Sequence, residues 1–95
     1  MKTNFSTFLY QNSDNLHLKV FGDFDVLSVH ELICIIKDLN WNPKNIFIHT
    51  SGLSSVNDFV LNEFKKKCGI ENLSHFLTFT GEYGNALAPE GSRII

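Results

Sequence analysis

The sequence predicts an α/β fold: an open mixed β-sheet with helices packed on it, in the order β(β)αβαβ, followed by a short tail. Three observations carry this. Residues 16–20 alternate apolar and polar side chains, and residues 46–48 and 76–80 are short runs rich in β-branched and aromatic residues. Between these runs the apolar residues recur with helical spacing. Gly, Asn, Asp and Pro cluster where one pattern gives way to the next. Strands alternating with amphipathic helices define the class.

Taken in order, residues 3–11 alternate weakly and form a candidate edge strand within a segment, 1–12, that is otherwise polar. Asn12-Ser13-Asp14-Asn15 is a turn cluster. Leu16, Leu18 and Val20 then alternate with His17, Lys19 and Phe21, giving a strand with one buried face, and Gly22-Asp23-Phe24-Asp25 breaks it. Ser28 and Glu31 have capping-box spacing. Val29, Leu32, Ile33, Ile36 and Leu39 follow them as the core stripe of a first helix. Asn40-Trp41-Asn42-Pro43 ends that helix, because proline disfavours helical geometry in the residue before it. Ile46-Phe47-Ile48 reads as an interior strand covered on both faces. Ser51-Gly52 is expected to turn the chain. Val56, Val60, Phe64 and Cys68 repeat every fourth residue through a second helix from about Asn57 to Cys68, with Gly69 as its stop. Phe76-Leu77-Thr78-Phe79-Thr80 is the last strong strand. The Gly-punctuated tail, 81–95, has room for a helical turn near 83–87 and extended residues near 92–95.

Ninety-five residues make one small domain, 1–95, whose core must be efficient because a chain of this size buries only about 60–65% of its unfolded surface. The 43% hydrophobic content with nine Phe suffices for that. A net charge of −2, with Lys65-Lys66-Lys67 as the one cationic run, argues against nucleic-acid binding. The run suits the C-terminal end of a helix, where cations meet the macrodipole favourably. The polar start carries no secretory leader pattern. The dense apolar stretch 29–36 contains His30 and Glu31 and is too short to cross a bilayer. Cys34 and Cys68 are read as reduced, partly buried packing residues. Together these readings predict a cytoplasmic protein without membrane insertion.

Particular residues then resemble the STAS domain, the family of anti-sigma-factor antagonists. Gly22-Asp23-Phe24-Asp25 resembles the family's opening Gly-x-Leu-Asp. Val56-Asn57-Asp58-Phe59-Val60-Leu61 aligns without gaps on its Ile-Asp-Ser-Ser-Gly-Leu signature. The resemblance runs from about Leu16 to Thr80. It implies a non-enzymatic regulatory module that docks through residues 51–60 and the start of the second helix. The implied partner is a protein, either an anti-sigma kinase or further copies in a self-assembly, with homodimerisation open. Asn57, Asp58 and Phe59 are the implied contact residues, with Ser55 and His49 behind them. Departures from the pattern alter what the family resemblance implies. His49 replaces the acidic residue that ends the family's strand, and Asp58 stands at the phospho-acceptor serine, where no phosphate can be added. A carboxylate there suits the positive end of a helix and places a permanent charge where the family's switch is reversible. The tail also lacks the longer final helix that normally follows the last strand.

The remaining motifs carry less. His17, His30, His49 and His75 match no His-x₃-His ligand spacing, so no metal or other cofactor is expected. Ser51, Ser54 and Ser55 lack a Gly-x-Ser-x-Gly elbow and an assignable base, so the chain is not read as an enzyme. Gly81-Glu82-Tyr83-Gly84-Asn85 lacks the glycine spacing and lysine of a phosphate loop. An alternative of a different class is a small-ligand domain taking a nucleotide or anion at the same helix N-terminus, although Asp58 would repel an anion there.

Overall fold

Strand alternation sets which way each side of the sheet faces, and the first hairpin shows it. A computed structural model describes residues 4–12, 14–39 and 45–95 of the chain. Strand β1 (Ser6–Asn12) pairs antiparallel with β2 (Asn15–Asp23), Asn12 opposite Asn15 and Tyr10 opposite His17. Leu18 and Val20 are fully buried on one side of β2, whereas Lys19 and Phe21 are exposed on the other. Thr3 of the expected edge strand, Ser13 of the turn, and Asn40-Trp41-Asn42-Pro43 at the expected helix end lie outside the described residues.

Helix α1 (Val26–Leu39) leads to β3 (Asn45–Ser55), and α2 (Asp58–Ile70) leads through a 3₁₀ turn (Ser74–Phe76) to β4 (Leu77–Thr80). The single turn α3 (Gly84–Leu87) precedes β5 (Arg93–Ile94). The sheet order is β1-β2-β3-β4-β5, with every pair after the hairpin parallel. This is the mixed α/β sheet expected, with β1 at one edge. The helices contact one another and so share one face.

Between sheet and helices lies one apolar core. Leu18, Val20, Ile46, Ile48, Leu77 and Phe79 supply it from the strands. Val29, Leu32, Ile33 and Ile36 of α1 and Val60, Leu61, Phe64 and Cys68 of α2 close over them. Phe64 is fully buried and meets Phe24 at 5.8 Å and Phe79 at 6.0 Å, edge to face in both cases. Thr50 is the polar exception on this face. Its hydroxyl donates to the Thr80 carbonyl (2.8 Å) and accepts from the Tyr83 amide (3.0 Å), so the buried group is satisfied and the chain after β4 is tied to β3.

Five local expectations change. Ile46-Phe47-Ile48 lies in an interior strand, but the helices cover one face of it, and Phe47 is half-buried on the other. Helix α1 begins two residues before Ser28, because Asp25 is its cap. The Asp25 Oδ1 accepts from the Ser28 amide at 2.9 Å and lies 2.8 Å from the Ser28 hydroxyl. Ser51-Gly52 does not turn the chain, and β3 runs on to Ser55 with two bulges against β2. Gly69 does not end α2. The left-handed residue is Asn72 (φ 59), and a Schellman motif closes the helix through Leu73 N to Cys68 O (3.0 Å) and Asn72 N to Gly69 O (3.2 Å). Cys34 is exposed rather than partly buried, and its Sγ lies 3.8 Å from His30 Nε2 one turn earlier.

Candidate functional site

The expected contact residues divide between two surfaces. Ser55, Asn57, Asp58 and Phe59 lie at the rim where β2 and β3 end and α1 and α2 begin. His49 does not join them. The extension of β3 to Ser55 leaves it within the strand, on the sheet face away from the helices.

The rim is built from short polar side chains. Asn57 takes an extended conformation (φ −132, ψ 162), and its side-chain oxygen accepts from the Val60 amide at 3.0 Å. It is therefore the N-cap of α2. Asp58 follows in the first turn, where its charge suits the helix dipole. The Ser55 hydroxyl donates to Asp23 Oδ1 (3.0 Å), and the Asn4 side-chain amide donates to Asp23 Oδ2 (3.2 Å). The Phe24 amide donates to the Ser55 carbonyl (2.9 Å), binding the two strand-to-helix connections together. The Ser28 amide, and then its hydroxyl, hold the Asp25 carboxyl below the usual carboxylate range. On this frame stand exposed apolar side chains: Phe59 at 66%, Leu27 at 59% and Val26 at 53%. Val26 and Leu27 were not among the residues expected from sequence. Their position before the apolar stripe of α1 was the available signal.

The second surface is the uncovered sheet face. Tyr10 stacks on His17 (4.8 Å, 6°), and His17 on Phe47 (5.0 Å, 14°), forming a ladder across three strands. His17 Nδ1 and His49 Nε2 lie 2.9 Å apart, with ring planes 2° apart. Rings stacked face to face cannot bring their nitrogens so close, so these imidazoles meet edge to edge, one donating and the other accepting. His49 Nδ1 is 2.7 Å from the Thr80 hydroxyl. Burial first, then the neighbouring His17 and Lys19, push the His49 pKa below its ordinary 6.5. Sequence spacing did not suggest this pair, because the two residues meet only through the parallel register of β2 and β3.

Cys68 has the opposite character. Burial pushes its thiol up to about 12, which leaves it an inert packing group. Among the described residues no cluster of three or more His, Cys, Asp or Glu side chains is placed to hold a metal ion. Nor is any helix among them long and apolar enough to cross a membrane. No family model matches the chain, and no curated protein matches it significantly.

Proposed function

We propose that this protein is a non-enzymatic regulatory module that binds a protein partner through the rim, in the manner of an anti-sigma-factor antagonist. One observation carries the reading: Phe59 is 66% exposed on the first turn of a helix whose start is pinned by the Asn57 cap. A large aromatic presented to solvent from a fixed backbone has the character of an interface anchor, since little backbone ordering entropy remains to be lost on docking. Val26 and Leu27 extend the apolar surface along the neighbouring helix start. The resemblance of residues 56–61 to the STAS signature supplies the partner class, an anti-sigma kinase or another copy in a cytoplasmic assembly. Asp58 occupies the switch position with a fixed negative charge, so docking through this rim is constitutive rather than phosphorylation-controlled.

The test is affinity capture from native lysate with the tagged chain, alongside Phe59→Ala and Asp58→Ser. A kinase-like partner retained by the wild type and weakened at least about tenfold by Phe59→Ala is the expected result. Asp58→Ser should change the affinity as well. A partner held equally by all three proteins would remove the rim from the interaction. Sedimentation of the purified chain and of Phe59→Ala distinguishes self-assembly, which the substitution should abolish.

A further inference from the structure

The uncovered sheet face holds a groove of about 450 Å³ lined by Lys19, Phe21, His49, Ser51, Gly52 and Thr80. We infer that this groove is a binding site for a planar aromatic anion, with the ligand's ring against Phe21 and its negative group on Lys19 and Ser51. The site is separate from the rim, and the inference does not depend on the rim's function.

Phe21 is 38% exposed, although its backbone lies inside a sheet. Its ring rests against Gly52: a Cβ on Gly52 would come within 2.3 Å of Phe21 Cδ1. The missing side chain thus lets an aromatic ring settle across β3 with part of its surface still in solvent. Lys19 stands beside it, its ammonium 5.6 Å from the centroid of the Tyr10 ring. Among the described residues Lys19 has no carboxylate partner, and the Ser51 hydroxyl makes no hydrogen bond. His49 and Thr80, by contrast, are bonded to each other and form a fixed wall.

The charge of the face points to an anion. Lys19 and, at the end of β2, Asp23 are the charged side chains at the positions of β1 to β4 that alternate onto this face, the imidazoles of His17 and His49 being hydrogen-bonded to each other. The nearby Asp23 is occupied by Ser55 and Asn4. A nucleic-acid strand fits poorly, since one lysine neutralises too few phosphates for tight polyanion binding. A groove of 450 Å³ falls within the range of small-molecule clefts, about 300–1,000 Å³. Aromatic stacking and a charge-assisted hydrogen bond are the interactions its lining supplies.

Amide-resolved NMR titration of the full chain tests this, with adenosine monophosphate, 2-naphthoate, adenosine and inorganic phosphate as probes. At least one planar anion should saturably shift the amides of Phe21, Ser51 and Gly52, while adenosine and phosphate bind about tenfold more weakly. Response to the nucleotide alone identifies a nucleotide site, response to naphthoate alone an aryl-acid site, and response to both a site that reads only ring and charge. Lys19→Gln, at an exposed position that leaves the core intact, should weaken binding about tenfold. Phe21→Leu should weaken it severalfold, and if that variant fails to fold, Lys19→Gln decides alone. The inference is overturned if neither planar anion saturates by about 10 mM. It is equally overturned if Lys19→Gln binds like the wild type, or if phosphate alone shifts the same amides as strongly.

Discussion

A missing side chain shapes both the sheet and the groove at residue 52. A Cβ at Gly52 would stand 2.3 Å from the Phe21 ring and 2.8 Å from the Val20 carbonyl oxygen. The ring can swing aside, but the carbonyl belongs to the adjacent strand and cannot move without distorting the ladder. Gly52→Ala should therefore destabilise the fold by about 1–3 kcal/mol, measured as a fall in the urea midpoint with an unchanged slope. Stability equal to wild type would mean that β3 does not pair with β2 in this register. Asn57 is the contrasting residue, because its role was readable locally: an Asn ahead of an apolar helical stripe is a cap by its own chemistry. Asn57→Ala should cost about 1 kcal/mol through the lost bond to the Val60 amide. Any loss of partner binding in that variant has to be compared with Phe59→Ala, which leaves the cap intact. The His17–His49 bond was not readable in this way. Its partners are 32 residues apart, and only the stagger of two parallel strands brings them to 2.9 Å.

At the scale of elements, type was legible and endpoints were not. Periodicity located α1, α2 and the parallel strands, because alternation and helical spacing report directly which face each element buries. Endpoints depend on which residue first satisfies the free backbone groups, and several candidates compete for that role. Asp25 displaced Ser28 as the cap of α1, with Ser28 donating to it instead. In β3, Ser51-Gly52 has poor intrinsic strand preference, yet pairing with β2 overrides it. At the end of α2 the glycine looked like the stop, whereas the left-handed position is Asn72, three residues later. Gly69 therefore sits in ordinary helical geometry, and a Cβ there would meet no atom within 4 Å. Gly69→Ala should raise stability by about 0.5–1 kcal/mol, by removing backbone freedom from the unfolded chain. A terminating glycine with positive φ would respond the opposite way, so a lowered denaturation midpoint would overturn this account of the helix end.

At the scale of the molecule, the helices cover one side of the sheet, and among the described residues no helix packs on the other. The Cα radius of gyration, 12.0 Å, matches the roughly 12 Å of one compact body of this length. Two layers bury one core, and the uncovered side then has to accommodate its aromatic and imidazole rings by packing them against each other. That arrangement couples folding to pH. His49 is desolvated and faces His17 and Lys19, so its folded-state pKa is depressed below 6.5. The unfolded chain then binds the proton more readily than the native one. The stabilisation is complete above about pH 6.5 and is lost as pH falls through the lower folded value. Asp25 contributes with the same sign in a more acidic window, because its carboxylate is stabilised by the Ser28 amide and hydroxyl and loses that benefit only below 3.8. Acid destabilisation should thus begin near neutrality, through the sheet face, well before the carboxylates titrate. Urea midpoints measured from pH 8 to pH 5 should fall for the wild type. In His49→Gln, which keeps hydrogen-bonding groups but cannot titrate, the decline across that interval should be shallower. The same slope in both proteins would show that His49 is as easily protonated folded as unfolded, and that it does not contribute to the pH dependence.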